Sequence, residues 1–472
     1  MIQIGAMKTV LLVLYFLLGV IIGIADGKAA VIYFTVIPVQ FYFLLYHYKK
    51  KHFVLTCFFA ILLLSVGFSS MFLFLNSEEA DMWGFTAVGL FDFSLTSFFS
   101  AYIKVFVFIL VVHVLSLYKN KNKVDVFKHL KEYFLKTIKL ATKESYTILL
   151  IFTAIIFCFL SVWMFNNSIG MTGIRPKQLP YHLTGILFHL RGKVFPLVFF
   201  FLYIKSSNKN LSFIFIVISS IIGGFSACSK GLPILILAPI IYESILTKHK
   251  VRAGFGIVLS ILLFGIISFS RELLFAFDKV QVDLETTMAY SIEALSNVKS
   301  NWIIDLLDTF TGRLYGANTL VLADQYHITT FADLINYYLG VPAEVLVPNY
   351  SETIFGITLP DNMAYGVGLG YMGTMILLSS GSYLYVIIQA VFIGFLFRVI
   401  EFTLHKNLRN TDSTFIGLMS VLLAAYIVLS LIEASGMKIV YLLLLVLFIM
   451  PSVLKHFVPP PKKNIQIFIK KW

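Results

Sequence analysis

Residues 9–25 read TVLLVLYFLLGVIIGIA. The stretch carries no charge, and its Leu, Val and Ile residues follow one another without alternating with polar residues. A strand in a membrane barrel alternates lipid-facing and lumen-facing residues, so this run rejects a closed β-barrel. A helix satisfies its own backbone groups in lipid and is the structure that remains. The first span is placed at 7–25, and similar runs recur at 29–46, 53–75, 98–117, 147–165, 188–204, 211–227, 231–247, 254–270, 383–402, 413–432 and 438–455. They predict an all-α polytopic membrane protein with about twelve transmembrane helices.

Composition agrees. The chain has 472 residues, of which 59% are hydrophobic and only 13% charged. A soluble domain carries about 25% charged residues. Mean hydropathy is +0.88. The formal net charge of +13 would suggest nucleic acid in a soluble protein, but here it reports topology, and no nucleic-acid partner is expected. Lys8, Lys49 to Lys51, the lysines from Lys119 to Lys143, Lys205, Lys209, Lys248 to Arg252, Arg398, Lys406, Arg409 and the tail lysines make 25 of the 37 basic residues, and all fall on one side of a twelve-span layout. That side is expected to be the cytoplasm, with both termini inside. The first run ends Gly23-Ile24-Ala25, a faint signal-peptidase pattern; with many spans following, an uncleaved first helix is expected. Cys57, Cys158 and Cys228 lie in or beside apolar runs without metal-type spacing, which predicts neither a disulfide framework nor a zinc site.

The chain thus divides into residues 1–270 (nine spans), 271–382 and 383–472 (three spans and a basic tail). The stretch from Arg271 to Ala364 has twelve acidic residues and four basic ones, and is expected outside as one large, partly helical loop. Within it, 289–296 and 302–339 are expected to contain helices, including FADLINYYLG closed by Gly340. Residues 365–380, YGVGLGYMGTMILLSS, are apolar but carry four glycines, and are read as an interfacial or re-entrant return to the membrane. VDVFKHLKEYFLKTIKLATK (124–143) has Val126, Leu130, Phe134 and Ile138 at helical spacing among lysines, which predicts a helix lying on the cytoplasmic membrane face against anionic lipid.

Basic residues expected near the outer face are few. Arg175 lies in GMTGIRPKQLPYHLTG, Arg191 in FHLRGKVFP, Arg271 directly after an apolar run, Arg313 in TFTGRLYG, and Lys230 in GGFSACSKGLP between two spans. Charge at that depth is costly unless it faces a cavity or a partner. Guanidinium forks suit phosphate and carboxylate oxygens, so a shared anionic ligand such as a lipid diphosphate is one reading. Snorkelling, or pairing with loop acids, is the other for each arginine taken singly. Asp305 and Asp308, one helical turn near Arg313, and Glu272 beside Arg271 are candidates to orient or deprotonate a sugar hydroxyl, or simply arginine partners. Gln178, Tyr181 and His182 lie between Arg175 and Arg191 and are candidate sugar contacts. There is no P-loop, no Gly-rich dinucleotide fingerprint, no DxD-like pair on a cytoplasmic loop, and no HExxH or Cys-rich site, so neither an ATP motor nor a cofactor or metal is expected.

GIRPKQLPYHLTGILFHLRGKVFP (173–196), GGFSACSKGLPILIL (223–237) and SRELLF (270–275) with TGRLYG (311–316) together resemble the Wzy-type family of bacterial O-antigen or oligosaccharide repeat-unit polymerases. Where related chains often have Ser-Arg-Gly, this one has Ser229-Lys230-Gly231, which keeps the charge but loses the planar fork. The resemblance implies a GT-C-like, metal-independent glycosyltransferase at the periplasmic face of the inner membrane. It would extend undecaprenyl-diphosphate-linked oligosaccharides, release undecaprenyl diphosphate and work with membrane lipid and a chain-length regulator protein. In that reaction Arg175, Arg191 and Arg271 would hold the diphosphate and stabilise its developing charge. Arg313 would close over the sugars, and Lys230 with the polar residues named above would bind substrate. A ligase with the same layout, a flippase or proton-coupled carrier of lipid-linked sugars, and a non-enzymatic export scaffold are the alternatives.

Overall fold

The computed structural model describes residues 2–75, 94–117, 124–132, 144–171, 179–180, 183–229, 231–276, 285–286, 288–289, 317–325, 330–341, 370–410, 414–432 and 437–457. Among these no β-strand occurs. In chain order the helices are α1 (Ile2–Ala25), α2 (Gly27–Lys49), α3 (Phe53–Leu62), which runs through a π-helical turn (Leu63–Phe68) into α4 (Ser69–Leu75), and α5 (Leu95–Ser116). Then come α6 (Glu144–Asn166), α7 (Leu183–His189), a second π-helical turn (Leu190–Val194), α8 (Phe195–Lys205), α9 (Lys209–Ala227), α10 (Gly231–Leu246) and α11 (Lys250–Ala276). The last six are α12 (Ala317–Gln325), α13 (Phe331–Tyr338), α14 (Gly370–Ser379), α15 (Tyr383–Arg409), α16 (Thr414–Ile432) and α17 (Met437–Phe457).

Among the described residues eight stretches are long and apolar enough to cross a membrane: Gly27–Lys49, Phe53–Met71, Leu95–Ser116, Glu144–Asn166, Leu183–Lys205, Lys209–Ala227, Lys250–Ile267 and Tyr383–Arg409. Shorter apolar helices cover Leu14–Ala25, Gly231–Leu246, Ile416–Leu431 and Met437–Val453. Each of the twelve runs read from the sequence therefore coincides with a helix, and the chain is an all-α, multi-pass membrane protein. The outward faces say the same. On α6, Ile148, Phe152, Ile155 and Phe159 recur at helical spacing and are 57–75% exposed, a stripe that water would not tolerate and lipid does.

The chain forms two compact units. The first comprises Met1–Leu130, Phe310–Ile357 and Val367–Trp472. In it α2 packs on α1, α3 and α4, α5 packs on α15, and α16 packs on α17 and α3. The stretch Phe53–Met71 has 72% of its residues inside the protein and forms the centre of this unit. The second comprises Lys131–Thr309 and Thr358–Gly366. There α9 packs on α6 and α10, α11 packs on α10, and α6 packs on α8.

Short loops are fixed by caps. Asp26 accepts from Ala29 N at 2.7 Å at the start of α2, Ser94 from Ser97 N at 3.1 Å at the start of α5, and Asn208 from Leu211 N at 3.0 Å at the start of α9. Residues 126–132 are helical, with Asp125 capping Lys128 N at 3.1 Å; the rest of the expected amphipathic helix, 133–143, lies outside the described residues.

One helix runs past the apolar run read from the sequence. The apolar run expected to stop before Arg271 continues as helix to Ala276, so Arg271 and Glu272 belong to α11 rather than to the start of a loop. Nothing after Ser270 breaks a helix until beyond Ala276, because Arg, Glu, Leu, Phe and Ala are all helix-tolerant. Within 271–382, α12 packs on α5, α4 and α14, and α13 packs on α14. The glycine-bearing return contains α14, ten residues long, with Met372, Met375, Ile376, Leu377 and Leu378 buried. The segment expected as a partly helical outer loop thus contains three described helices that pack on their neighbours.

Candidate functional site

Arg191 is the one sequence-selected cation whose side chain is described. It sits in the π-helical turn between α7 and α8 and is 1% exposed. Its guanidinium donates through Nη2 to the carbonyl of Gly170 and through Nη1 to the carbonyl of Ser226, at 3.4 Å. A buried guanidinium is tolerated where acceptors replace its water, and backbone carbonyls at turns supply them. Both turns are tightly built. After α6 the chain passes through left-handed Ser168 (φ 53°) and Gly170 (φ 64°), with Ile169 N bonded to Met164 O at 2.8 Å. After α9 it passes through left-handed Cys228 (φ 48°), with Ser229 N bonded to Gly224 O at 3.2 Å.

Arg191 therefore ties together two of the sequence patches singled out above. Gly170 and Met171 lead directly into 172–178, which carries Arg175 and Gln178, and Ser226 to Ser229 lead into Lys230. Arg175, Gln178, Tyr181, His182, Lys230, Asp305, Asp308 and Arg313 lie outside the described residues. Arg271 and Glu272 are placed on α11 as backbone.

Three buried polar constellations were not singled out from the sequence. In the first unit Lys104, on α5, forms an ion pair with Asp324, on α12, and Ser100 Oγ donates to Asp324 Oδ2 at 2.9 Å. Their side chains are 7% and 9% exposed. A lysine in the middle of LTSFFSAYIKVFVFILVVHVLS is visible in the sequence as the single charge of an apolar run, but its partner is 220 residues away. Gln40 on α2 is fully buried beside the Tyr102 hydroxyl on α5, its polar neighbour there.

At the C-terminal ends of α2 and α5 His113 Nδ1 lies 3.2 Å from His47 Nε2, and His47 Nδ1 lies 3.0 Å from His52 Nδ1. Beside them Glu401 accepts from Phe53 N and Val54 N, each at 2.8 Å, and so caps α3 with a full charge. In the second unit Glu243 is 1% exposed and takes the Tyr203 hydroxyl at 3.3 Å; Arg252 Nη1 donates to Tyr203 Oη at 3.0 Å and lies 4.0 Å from the Glu243 carboxylate. Among the described residues no group of three or more His, Cys, Asp or Glu is placed to hold a metal ion.

Arg191, held on two carbonyls, can fix the geometry of the chain on either side of it; the fixed charges of Lys104 and Glu243 are each matched within their own unit. Comparison with known proteins gives no match to a family model, to a curated protein or to a solved structure.

Proposed function

We propose that the protein is a glycosyltransferase of the Wzy type, polymerising undecaprenyl-diphosphate-linked oligosaccharide repeat units at the periplasmic face of a bacterial inner membrane. In this reading all twelve apolar helices cross the membrane and both termini lie inside. The observation that carries it is the tie made by Arg191 to the Gly170 and Ser226 carbonyls. It draws together the described ends of the two patches that hold Arg175 and Lys230, which the family resemblance assigns to the anionic lipid carrier. Arg191 then acts as a positioning residue, while Arg175, Arg271 and Arg313 meet the diphosphate and sugars. Fixed cations beside a departing diphosphate lower the barrier by stabilising charge as the glycosidic bond forms. Gln178, Tyr181, His182, Glu272, Asp305 and Asp308 are assigned to sugar hydroxyls.

A second reading has support of its own. A buried ion pair inside an apolar helix bundle, Lys104 with Asp324, also suits a carrier of lipid-linked sugars. One assay separates the two. Purified protein in nanodiscs receives a synthetic undecaprenyl-diphosphate repeat unit, no nucleotide sugar and excess EDTA. A ladder of longer glycans on a gel is expected. Movement of the lipid-linked unit across a vesicle membrane with no ladder would replace the polymerase by the carrier, and a product formed only with a lipid A core acceptor would replace it by a ligase.

A further inference from the structure

Three imidazoles stand in a row where the C-terminal ends of α2 and α5 face the turn into α3. His113 Nδ1 lies 3.2 Å from His47 Nε2, and His47 Nδ1 lies 3.0 Å from His52 Nδ1. His47 is fully buried, His52 nearly so, and His113 half-buried. The turn fixes two of the rings. Lys51 is left-handed at φ 60°, and His52 N donates to His47 O at 3.0 Å, so backbone and side chains close the same step. His113 comes from a different helix. Its ring packs on Phe43 and Tyr46 of α2, with ring centres 5.0 and 4.9 Å away.

Proton counting limits what this row can hold. An N···N contact at such a distance is a hydrogen bond and contains one proton, because two bare nitrogens repel each other and so do two N–H groups. A neutral imidazole carries one proton, so three neutral rings bring three. Two of these lie in the contacts, and the third lies on the outer nitrogen, Nε2, of His113 or His52. The other outer Nε2 can accept one proton more without disturbing either contact. A further proton has no place except one that sets N–H against N–H. The row therefore keeps both contacts with no added proton or with one, and a second breaks a contact.

The surroundings agree with that limit. Phe59 stacks on His47, with ring centres 5.0 Å apart at 6°, and an aromatic face favours a cation over it. Glu401 of α15 places its carboxylate on Phe53 N and Val54 N, directly after His52 in the chain. His405 shares that carboxylate, with Nε2 3.3 Å from Oε1. Against a second charge stand Arg398, which lines the same cavity as His52, and Lys50, whose Nζ lies 5.9 Å from the Tyr46 ring centre. Lys49 ends α2, Lys406 lies a turn beyond Glu401 on α15, and Lys51 is matched by Asp125.

We propose that His113, His47 and His52 are a binding site for one shared proton and, because a second does not fit, a latch that opens in acid. Two imidazoliums separate best at the longer contact, where half-buried His113 can turn to water while His47 and His52 stay on their turn. α5 then loses its polar tie to the α2–α3 turn. Imidazole ordinarily titrates near pH ~6.5, so both additions fall within a mildly alkaline to mildly acid range. They belong to the row as a whole rather than to single rings.

The test is magic-angle-spinning NMR of the full chain, 15N-labelled at histidine, in lipid bilayers from about pH 8.5 to about pH 5. N–H···N contacts give correlations between rings, and His47 identifies itself as the ring with two partners. One imidazolium is expected first, with both correlations kept. A second is expected on further acidification, together with loss of the His113–His47 correlation. The open-to-closed ratio should rise about tenfold per pH unit, because opening takes up one proton. His113→Gln can still donate and accept but takes no proton; it is expected to keep the His47–His52 correlation and lose the second step. His405→Asn removes the other imidazole at Glu401 and is expected to leave both steps in place. Two imidazoliums with both correlations intact, a correlation lost at the first proton, or no titration over the range would each overturn the proposal. Persistence of the second step in His113→Gln, or its loss in His405→Asn, would do the same. The wild-type spectra decide alone should a variant fail to fold.

Discussion

Lys104 and Asp324 form an ion pair that joins the middle of α5 to the end of α12, with both side chains less than one-tenth exposed. Because neither charge has water to fall back on, removing one strands the other. Lys104→Met or Asp324→Ala alone is therefore expected to lower stability by about 3–5 kcal/mol, read as a fall in Tm in detergent. The reciprocal exchange, Lys104→Asp with Asp324→Lys, is expected to recover part of that loss. A double variant no more stable than the worse single one would mean that the pair contributes nothing as a pair.

Arg191→Lys is expected to keep the charge and lose the two-pronged contact to Gly170 and Ser226. An ammonium is a compact donor on a flexible stem and does not reproduce a planar fork. The expected cost is about 1.5–3 kcal/mol, the value of one hydrogen bond to a charged group. The reporter is Cys228, two residues from Ser226 and 1% exposed. In a Cys57→Ser, Cys158→Ser background its maleimide labelling is expected to accelerate. An unchanged rate would show that the turn after α9 does not depend on Arg191.

Gly170 has φ 64°, and a Cβ there would lie 3.2 Å from Arg191 Nη2, Met164 Cε and Phe188 Cδ2. Gly170→Ala must therefore meet both backbone strain and crowding. The left-handed conformation alone costs about 1–2 kcal/mol for a residue with a Cβ. A matching fall in Tm is expected, with glycan-ladder activity falling alongside it if the turn carries Arg175 into place. Full stability and activity in Gly170→Ala would argue against both.

The Asp125 carboxyl is held below its ordinary pKa of 3.8, first by its contact with Lys51 Nζ at 2.8 Å and also by the Lys128 N–H. A depressed folded-state pKa gives stability that is complete above the unfolded value and lost as pH falls through the folded one. Both side chains are partly solvated, so the contribution is under about 1 kcal/mol. Asp125→Asn is expected to lower Tm slightly at pH 7, less in 1 M salt, and not at all well below pH 3.8. A difference that persists at the acid end would assign the effect to something other than the carboxylate charge.

How far the sequence can be read depends on the range of the interaction. The helices were legible because lipid imposes a local rule: a run such as TVLLVLYFLLGVIIGIA has few other structures open to it. FADLINYYLG was legible from a different local rule, that of helix ends, with Thr330 and Asp333 forming a reciprocal cap and Gly340 ending the turn at φ 100°. Arg191 was chosen for its charge, but nothing in FHLRGKVFP says that its guanidinium turns inward onto two carbonyls rather than outward to a ligand. Lys104 was readable as an anomaly and Asp324 was not, because one acid among twelve in an acidic segment carries no mark of its distant partner. The helix end of α11 was not legible, because a charged residue after an apolar run ends the run, not the helix.

The π-helical turn at Leu190–Val194 has a consequence for the angular phase of the span it interrupts. An α-helix advances about 100° per residue, so one residue beyond the α-helical repeat shifts everything after it by about that angle. The side chains of α7 and α8 share an axis but belong to two different clocks, and Arg191 is wound into the interval between them. A single-residue deletion there would leave the composition and hydropathy of the span almost unchanged. It would nevertheless rotate one half against the other and send the guanidinium toward a different neighbour.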